Sequence, residues 1–242
     1  MKTIRVTLWL YRSAFGRSAE AVRKNWVVSF VPLLYGLGLS LVGVLAAPLG
    51  MIGGILLQLA TLACISSGLF LVENIVRGGA AGFDDFINGF TVYLWELVQV
   101  AFILWIPRLM LAVVLQGTPN GFLIYWLIQI ALIIFLNPVP EFIYQSRLSG
   151  LELLSASYNF IVENWIEWFL PNIVVALVGY LLLTLLETVT FALPAFMQFF
   201  VVAFGVGLFL TYFMVFRGFL FSELHGTTRR SRLFRYNSRY AA

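Results

Sequence analysis

Between Lys24 and Glu73 the chain carries no charged side chain, and this gap constrains the fold more than any other feature. A helix needs about 20 apolar residues to cross a bilayer, so the gap holds two crossings. Ala46-Ala47-Pro48-Leu49-Gly50 lies where the turn between them is expected, because Pro and Gly punctuate helices. Composition extends the conclusion to the whole chain. Of 242 residues, 61% are hydrophobic and 11% charged, against about 25% charged in a soluble domain. Too few charges remain to coat a water-facing surface. A soluble enzyme, a disordered chain and a nucleic-acid-binding module are all excluded.

Four more spans follow from the same reasoning. The third runs over 91–115, interrupted by Glu96 and Arg108, and ends in the turn 116–121. The fourth covers 122–144 and closes on Asn137-Pro138-Val139-Pro140-Glu141. Segments 168–189 and 194–220 supply the fifth and sixth. The fold class is all-α integral membrane. Basic residues set its orientation. Lys2, Arg5, Arg12, Arg17, Arg23 and Lys24 precede span one, Arg77 and Arg147 lie in the even loops, and Arg217, Arg229, Arg230, Arg232, Arg235 and Arg239 close the chain. The three opposite turns carry none. The positive-inside rule then puts both termini in the cytoplasm of a bacterial-type inner membrane.

Residues 4–24 read as an amphipathic helix rather than a signal peptide, since a full-length span follows and no small-residue cleavage site is present. Ile4, Leu8, Tyr11, Phe15, Ala19 and Val22 recur at helical spacing. The expected setting is the anionic membrane surface, with the apolar stripe sunk among the acyl chains. The alternative is packing against a partner, which Trp9 and Leu10 on the polar side keep open.

An internal repeat organises the chain. Asn25-Trp26-x-x-x-Phe30-x-Pro32 recurs as Asn164-Trp165-x-x-x-Phe169-x-Pro171, and Gly68-Leu69-Phe70-Leu71 recurs as Gly207-Leu208-Phe209-Leu210. Arg77-Gly78 matches Arg217-Gly218 one residue out of step. Spans one and two thus resemble spans five and six, in parallel. A weaker copy, residues 83–90, introduces spans three and four. The expected plan is three hairpins, each preceded by an interfacial helix. It divides a single domain into an interfacial helix (1–25), hairpin one (26–76), a surface segment with hairpin two (77–145), an interfacial helix with hairpin three (146–222) and a basic tail (223–242). Trp26 and Trp165 are expected as headgroup anchors, and Asn25 and Asn164 as caps where the chain turns into the bilayer.

The run Pro140-Glu141-Phe142-Ile143-Tyr144, followed by Leu151, Ser157, Asn164-Trp165 and an apolar span, resembles the YciC-like group. That group is related to the membrane domain of glycerophosphoryl diester phosphodiesterases. The resemblance implies a six-helix membrane protein. It does not bring the phosphodiesterase reaction, because the soluble catalytic domain and its metal ligands have no counterpart here.

Ionisable residues inside spans are candidate functional sites, because charge in hydrocarbon is costly. Arg108 and Glu187 fall at similar outer depth, and three readings stay open: they pair, Arg108 holds a lipid phosphate, or Arg108 snorkels outward and fixes helix depth. Glu73, Glu96 and Glu141 occupy inner span ends with Arg77 and Arg147 in reach, near the break expected at Pro138 and Pro140. They read as helix-tying salt bridges, or as a transporter's ion site at a broken helix. Gln58, Gln99, Gln129 and Gln198 are expected to hydrogen-bond between helices. Gly36, Gly38, Ser40, Gly43, Gly205 and Gly207 are expected to allow close helix contact.

One cysteine, Cys64, permits no disulfide within the chain, and one histidine, His225, cannot build a His-rich metal or haem site. No catalytic motif is visible, so neither a cofactor nor a metal is expected. The sequence therefore points to a non-enzymatic membrane component, an accessory or assembly subunit or a bilayer organiser. A permease-like subunit docking a cytoplasmic motor, and a lipid-handling enzyme, are the alternatives. The partners expected are the lipid bilayer with a membrane or cytoplasmic protein, or a second copy; nucleic acid is not.

Overall fold

The computed structural model describes residues 2–227 together with 231, 232, 234 and 238, with side chains from Val6 onward. Among the described residues every regular element is helical. Six helices are long and apolar enough to cross a membrane: Trp26–Leu49, Met51–Gly78, Phe83–Leu115, Gly121–Ser146, Gly150–Thr190 and Ala195–Leu224. The chain is a multi-pass membrane protein.

In chain order the elements are α1 (Lys2–Lys24), a 3-10 turn (Trp26–Phe30), α2 (Val31–Ala46), a second 3-10 turn (Ala47–Leu49), α3 (Met51–Gly78), α4 (Phe83–Val92), α5 (Leu94–Leu115), α6 (Gly121–Phe135), α7 (Val139–Ser146), α8 (Gly150–Thr190) and α9 (Ala195–Leu224). The turn between α2 and α3 closes on Gly50 at φ 57°, ψ −124°, a conformation open to glycine because it lacks a Cβ. The fourth span is split at residues 136–138, just ahead of Val139.

Three residues with nearly the same backbone bend the chain from a short helix into a span. Asn25 sits at φ −113°, ψ 30°, Tyr93 at φ −116°, ψ 10°, and Asn164, inside α8, at φ −127°, ψ 19°. This sparsely populated region keeps the chain nearly helical while breaking the regular hydrogen-bond ladder. Each bend is followed within two residues by a solvent- or lipid-exposed tryptophan: Trp26, Trp95 and Trp165 are 54%, 70% and 58% exposed.

Packing is concentrated at the end of the bundle that holds the bends and α1. There α9 meets α1, α7 and α8, and α3 meets α4, α5 and α7. Trp168, Phe142, Tyr144, Phe216, Leu220, Phe221 and Leu224 are all but fully buried. Phe142, Phe160, Trp168 and Phe221 meet edge-to-face or tilted, at centroid separations of 4.8–6.3 Å, the arrangement that aromatic quadrupoles favour. At the opposite end, Val44, Met51, Val113, Phe122, Val189 and Phe196 are all exposed. Lipid is as apolar as these side chains, so nothing drives them inward.

Two expectations are corrected here. The buried face of α1 is Val6, Leu10, Ala14, Ser18, Ala21 and Val22 with Tyr11, whereas Leu8 and Ala19 are exposed. Leu10, assigned to the polar side, is 3% exposed. The helix is apolar on nearly every side near its start, so spacing left its rotation undetermined. Small residues Ala14 and Ser18 let α9 approach, and Phe15 stacks on Phe216 at 4.7 Å. The helix therefore packs on its own chain. Nor do the two asparagines cap the spans ahead of them: Asn25 Nδ2 donates back to Ala21 O (2.8 Å) and across to Gly79 O (3.1 Å), and its Oδ1 accepts from Ala81 N. Asn164 Nδ2 likewise donates back to Phe160 O.

Candidate functional site

The packed end buries three carboxylates, Glu73, Glu141 and Glu167, and arginines form ion pairs with the first two. Glu141, at the first turn of α7, is completely buried and takes a forked contact from Arg217 of α9, Nε to Oε1 at 2.7 Å and Nη2 to Oε2 at 2.9 Å. The broken fourth span supplies the third partner, since Arg217 Nη2 also donates to Asn137 O at 2.7 Å. Asn137 Oδ1 in turn accepts from Trp168 Nε1 at 2.9 Å, and the guanidinium lies over the Trp168 ring at 5.2 Å. Both carboxylate oxygens of Glu141 and the carbonyl at the span break are thus engaged by one guanidinium. Forked geometry and added hydrogen bonds of this kind are what offset the desolvation of a buried ion pair.

Glu73 of α3 forms the second centre. Arg77, one turn further along α3, approaches at 3.0 Å, and Arg147 reaches the same oxygen at 3.0 Å. The Tyr93 hydroxyl donates to the other carboxylate oxygen. Arg147 holds a left-handed backbone, φ 56°, which costs a non-glycine residue about 1 kcal/mol or more. Its guanidinium contact with Glu73 and its place over the Tyr93 ring at 5.3 Å offset that strain. Tyr93 is anchored further by its own amide, which donates to Ser66 Oγ at 2.8 Å. The bend into span three, the end of span two and the loop after α7 therefore meet at one carboxylate.

A third polar contact joins α1, α8 and the chain's last segment. Arg232 Nη2 donates to Asn164 Oδ1 at 3.0 Å. The Tyr11 hydroxyl is pushed up to about 12, chiefly by burial and then by the Glu167 charge, with Arg232 pulling the other way. Arg232 is buried, so it is not one more exposed cation of the basic tail. Arg229, Arg230, Arg235 and Arg239 lie outside the described residues. His225, just past α9, sits 4.9 Å from Phe221 and 5.1 Å from Phe142 between ring centroids. Burial lowers its pKa below the ordinary 6.5.

The structure sorts the remaining candidates. Glu73 meets Arg77 and Arg147 as the sequence allowed, but Glu141 pairs with Arg217, which looked like one more surface cation. Glu96 joins neither centre and makes no ion pair among the described residues. Arg108 and Glu187 do not pair. Both are exposed; α5 touches α8 at the packed end, where Gln99 approaches Gly150, while Glu187 lines a separate cleft with Phe191 and Gln198. Gln58, Gln99, Gln129 and Gln198 make no hydrogen bond between helices among the described residues, and the buried Gln129 Nε2 has no partner. Gly205 and Gly207 lie against Leu186 and the Ser29 carbonyl, whereas Gly36, Gly38 and Gly43 face open space. No group of three or more His, Cys, Asp or Glu side chains comes together among the described residues.

Arg217 left one trace in the sequence. It is the repeat counterpart of Arg77, whose carboxylate lies four residues earlier on the same helix. Four residues before Arg217 stands Phe213, so its guanidinium has to find a carboxylate on another helix.

Comparison with protein-family models, curated proteins and solved structures returns no match, so the geometry itself carries the functional reading.

Proposed function

We propose that this chain is a non-enzymatic component of a bacterial-type inner membrane, an accessory or assembly subunit or a bilayer organiser, with both termini in the cytoplasm. One observation carries the reading: among the described residues the ion pairs made by the buried carboxylates Glu73 and Glu141 lie at the packed end, and beyond them the spans present apolar side chains outward. A bundle tied at one end leaves long lipid-facing surfaces for another membrane protein or a second copy. The uncovered small-residue face of α2, at Gly36 and Ser40, belongs to that surface.

The three bends support a plan of three units, each a surface helix leading into a hairpin, with spans one and two repeated in parallel as spans five and six. Trp26, Trp95 and Trp165 then sit at the headgroup level of one leaflet. The same plan supports a kinship with the YciC-like group. The permease-like alternative gains less support. The carbonyl freed at the broken fourth span is taken by Arg217, and so is Glu141, which leaves no ligand set there for a transported cation.

Native mass spectrometry of the full chain, released gently from its own membrane, tests the proposal. A second membrane protein or a second copy at fixed stoichiometry is expected. A chain that is always a lone monomer would refute the subunit reading.

A further inference from the structure

Among the described residues the far end of the bundle carries one cation, Arg108, with no ion-pair partner. The residue is exposed on α5. It lies seven residues before the end of α5, roughly 10 Å below that end at 1.5 Å per residue. An arginine facing hydrocarbon at that depth costs on the order of 2–3 kcal/mol unless its charge is answered. Among the described residues no carboxylate pairs with it, and Glu187 lines a different cleft.

A cleft lies toward the outer end of the same helix; Arg108 is not part of its lining, but stands one turn before the nearest lining residue, Ala112. About 480 Å³ opens between the end of α5 and the start of α6, lined by Ala112, Leu115, Gln116, Thr118, Asn120 and Tyr125 among others. Arg108, Ala112 and Leu115 stand at spacings of four and then three, so they share one face of α5. The step from Arg108 to Ala112 is about 6 Å along the axis, within the reach of an extended arginine. Below the cleft the same side of α5 presents Trp105 outward, three residues before Arg108 and seven before Ala112. Helix spacing therefore puts a polar-rimmed cleft, a cation one turn below it and an apolar wall on one face of α5.

We infer that this cleft is a phospholipid site, with the lipid phosphate held between the Arg108 guanidinium and the polar rim of Gln116, Thr118 and Tyr125, and an acyl chain along Trp105. Charge chooses the occupant: a phosphodiester carries one negative charge, and a guanidinium can meet two of its oxygens with a planar fork. A lipid also explains why the cation stands on an exposed apolar face, where a free anion would find no wall to bind. The site is independent of the protein-partner reading, because it asks only for lipid.

Native mass spectrometry of the full chain taken from phosphatidylglycerol-containing vesicles reads the site directly. Wild-type protein is expected to keep one phospholipid. Arg108→Gln should lower that occupancy roughly tenfold or more, as loss of a charge-assisted contact implies. Arg108→Lys should fall between the two, since it keeps the charge and loses the fork. Arg12→Gln, at the other end of the molecule, should match wild type. Circular dichroism checks that each variant is folded; if Arg108→Gln is not, Arg108→Lys carries the test, and retention equal to wild type overturns the site. Unchanged occupancy in a folded Arg108→Gln overturns it too, as does wild-type protein that retains no lipid. Inorganic phosphate is the remaining arm: if it alone raises thermal stability as much as phosphatidylglycerol does, the site takes a free anion and the lipid assignment is overturned.

Discussion

The two ends of this molecule obey different solvents. At the packed end, Glu141 and Arg217 are almost removed from both water and lipid, and aromatic rings fill the space around them. At the far end, side chains of equal apolarity stand exposed and the helices meet through only a few tight points, such as Gly205 against Leu186. Apolar residues have no preference between a helix neighbour and an acyl chain, so they do not hold a bundle together. Polar groups do, because leaving them unpaired in hydrocarbon costs several kcal/mol. Specific structure in this chain therefore accumulates where the polar groups are, and the far halves are held chiefly by continuity of the helices.

The contrast is sharpest at Arg217. Arg217→Met leaves Glu141 buried and unanswered, and should destabilise the protein by about 3–5 kcal/mol, read as a large fall in thermal stability in detergent. Replacing both partners, Glu141→Leu with Arg217→Met, should recover most of that loss. A single variant that unfolds like wild type would show that the packed end is not the anchor. Next in size is a matched pair of glycines. A Cβ on Gly207 would overlap the Ser29 carbonyl, whereas one on Gly43 meets nothing within 4 Å. Gly207→Ala should cost about 1–3 kcal/mol through overpacking. Gly43→Ala should be neutral or stabilising by up to about 1 kcal/mol, the helix propensity of alanine over glycine. Equal effects would erase the distinction between the two regions. The smallest effect belongs to His225. Its lowered pKa means that the folded state favours the neutral ring. The unfolded chain then binds the proton more readily, so stability is full above pH 6.5 and falls as pH drops through the folded-state value. An NMR titration midpoint at or above 6.5 would contradict the burial of the ring against Phe142 and Phe221.

Much of the plan was readable from residues alone. The spans follow from charge-free length, and the turn at Gly50 and the break before Val139 follow from where Gly and Pro stand. Orientation of side chains was less readable. Helix α1 is apolar on too many sides for spacing to choose a face, and the choice falls to the small residues that admit α9. Arg217 was hidden for a different reason: near a span end, a basic residue that marks topology and one that neutralises a buried carboxylate look alike. Arg108 was the reverse case, a cation legible at once whose supposed partner, Glu187, faces elsewhere.

The bends at Asn25, Tyr93 and Asn164 also set where the chain can vary in length. Each joins two helices through a single residue, with no slack on either side. Adding one residue there would rotate the following span by about 100°, turning its lipid-facing side toward the bundle. The turns at 79–82 and 117–120 can absorb the same insertion with the spans unmoved.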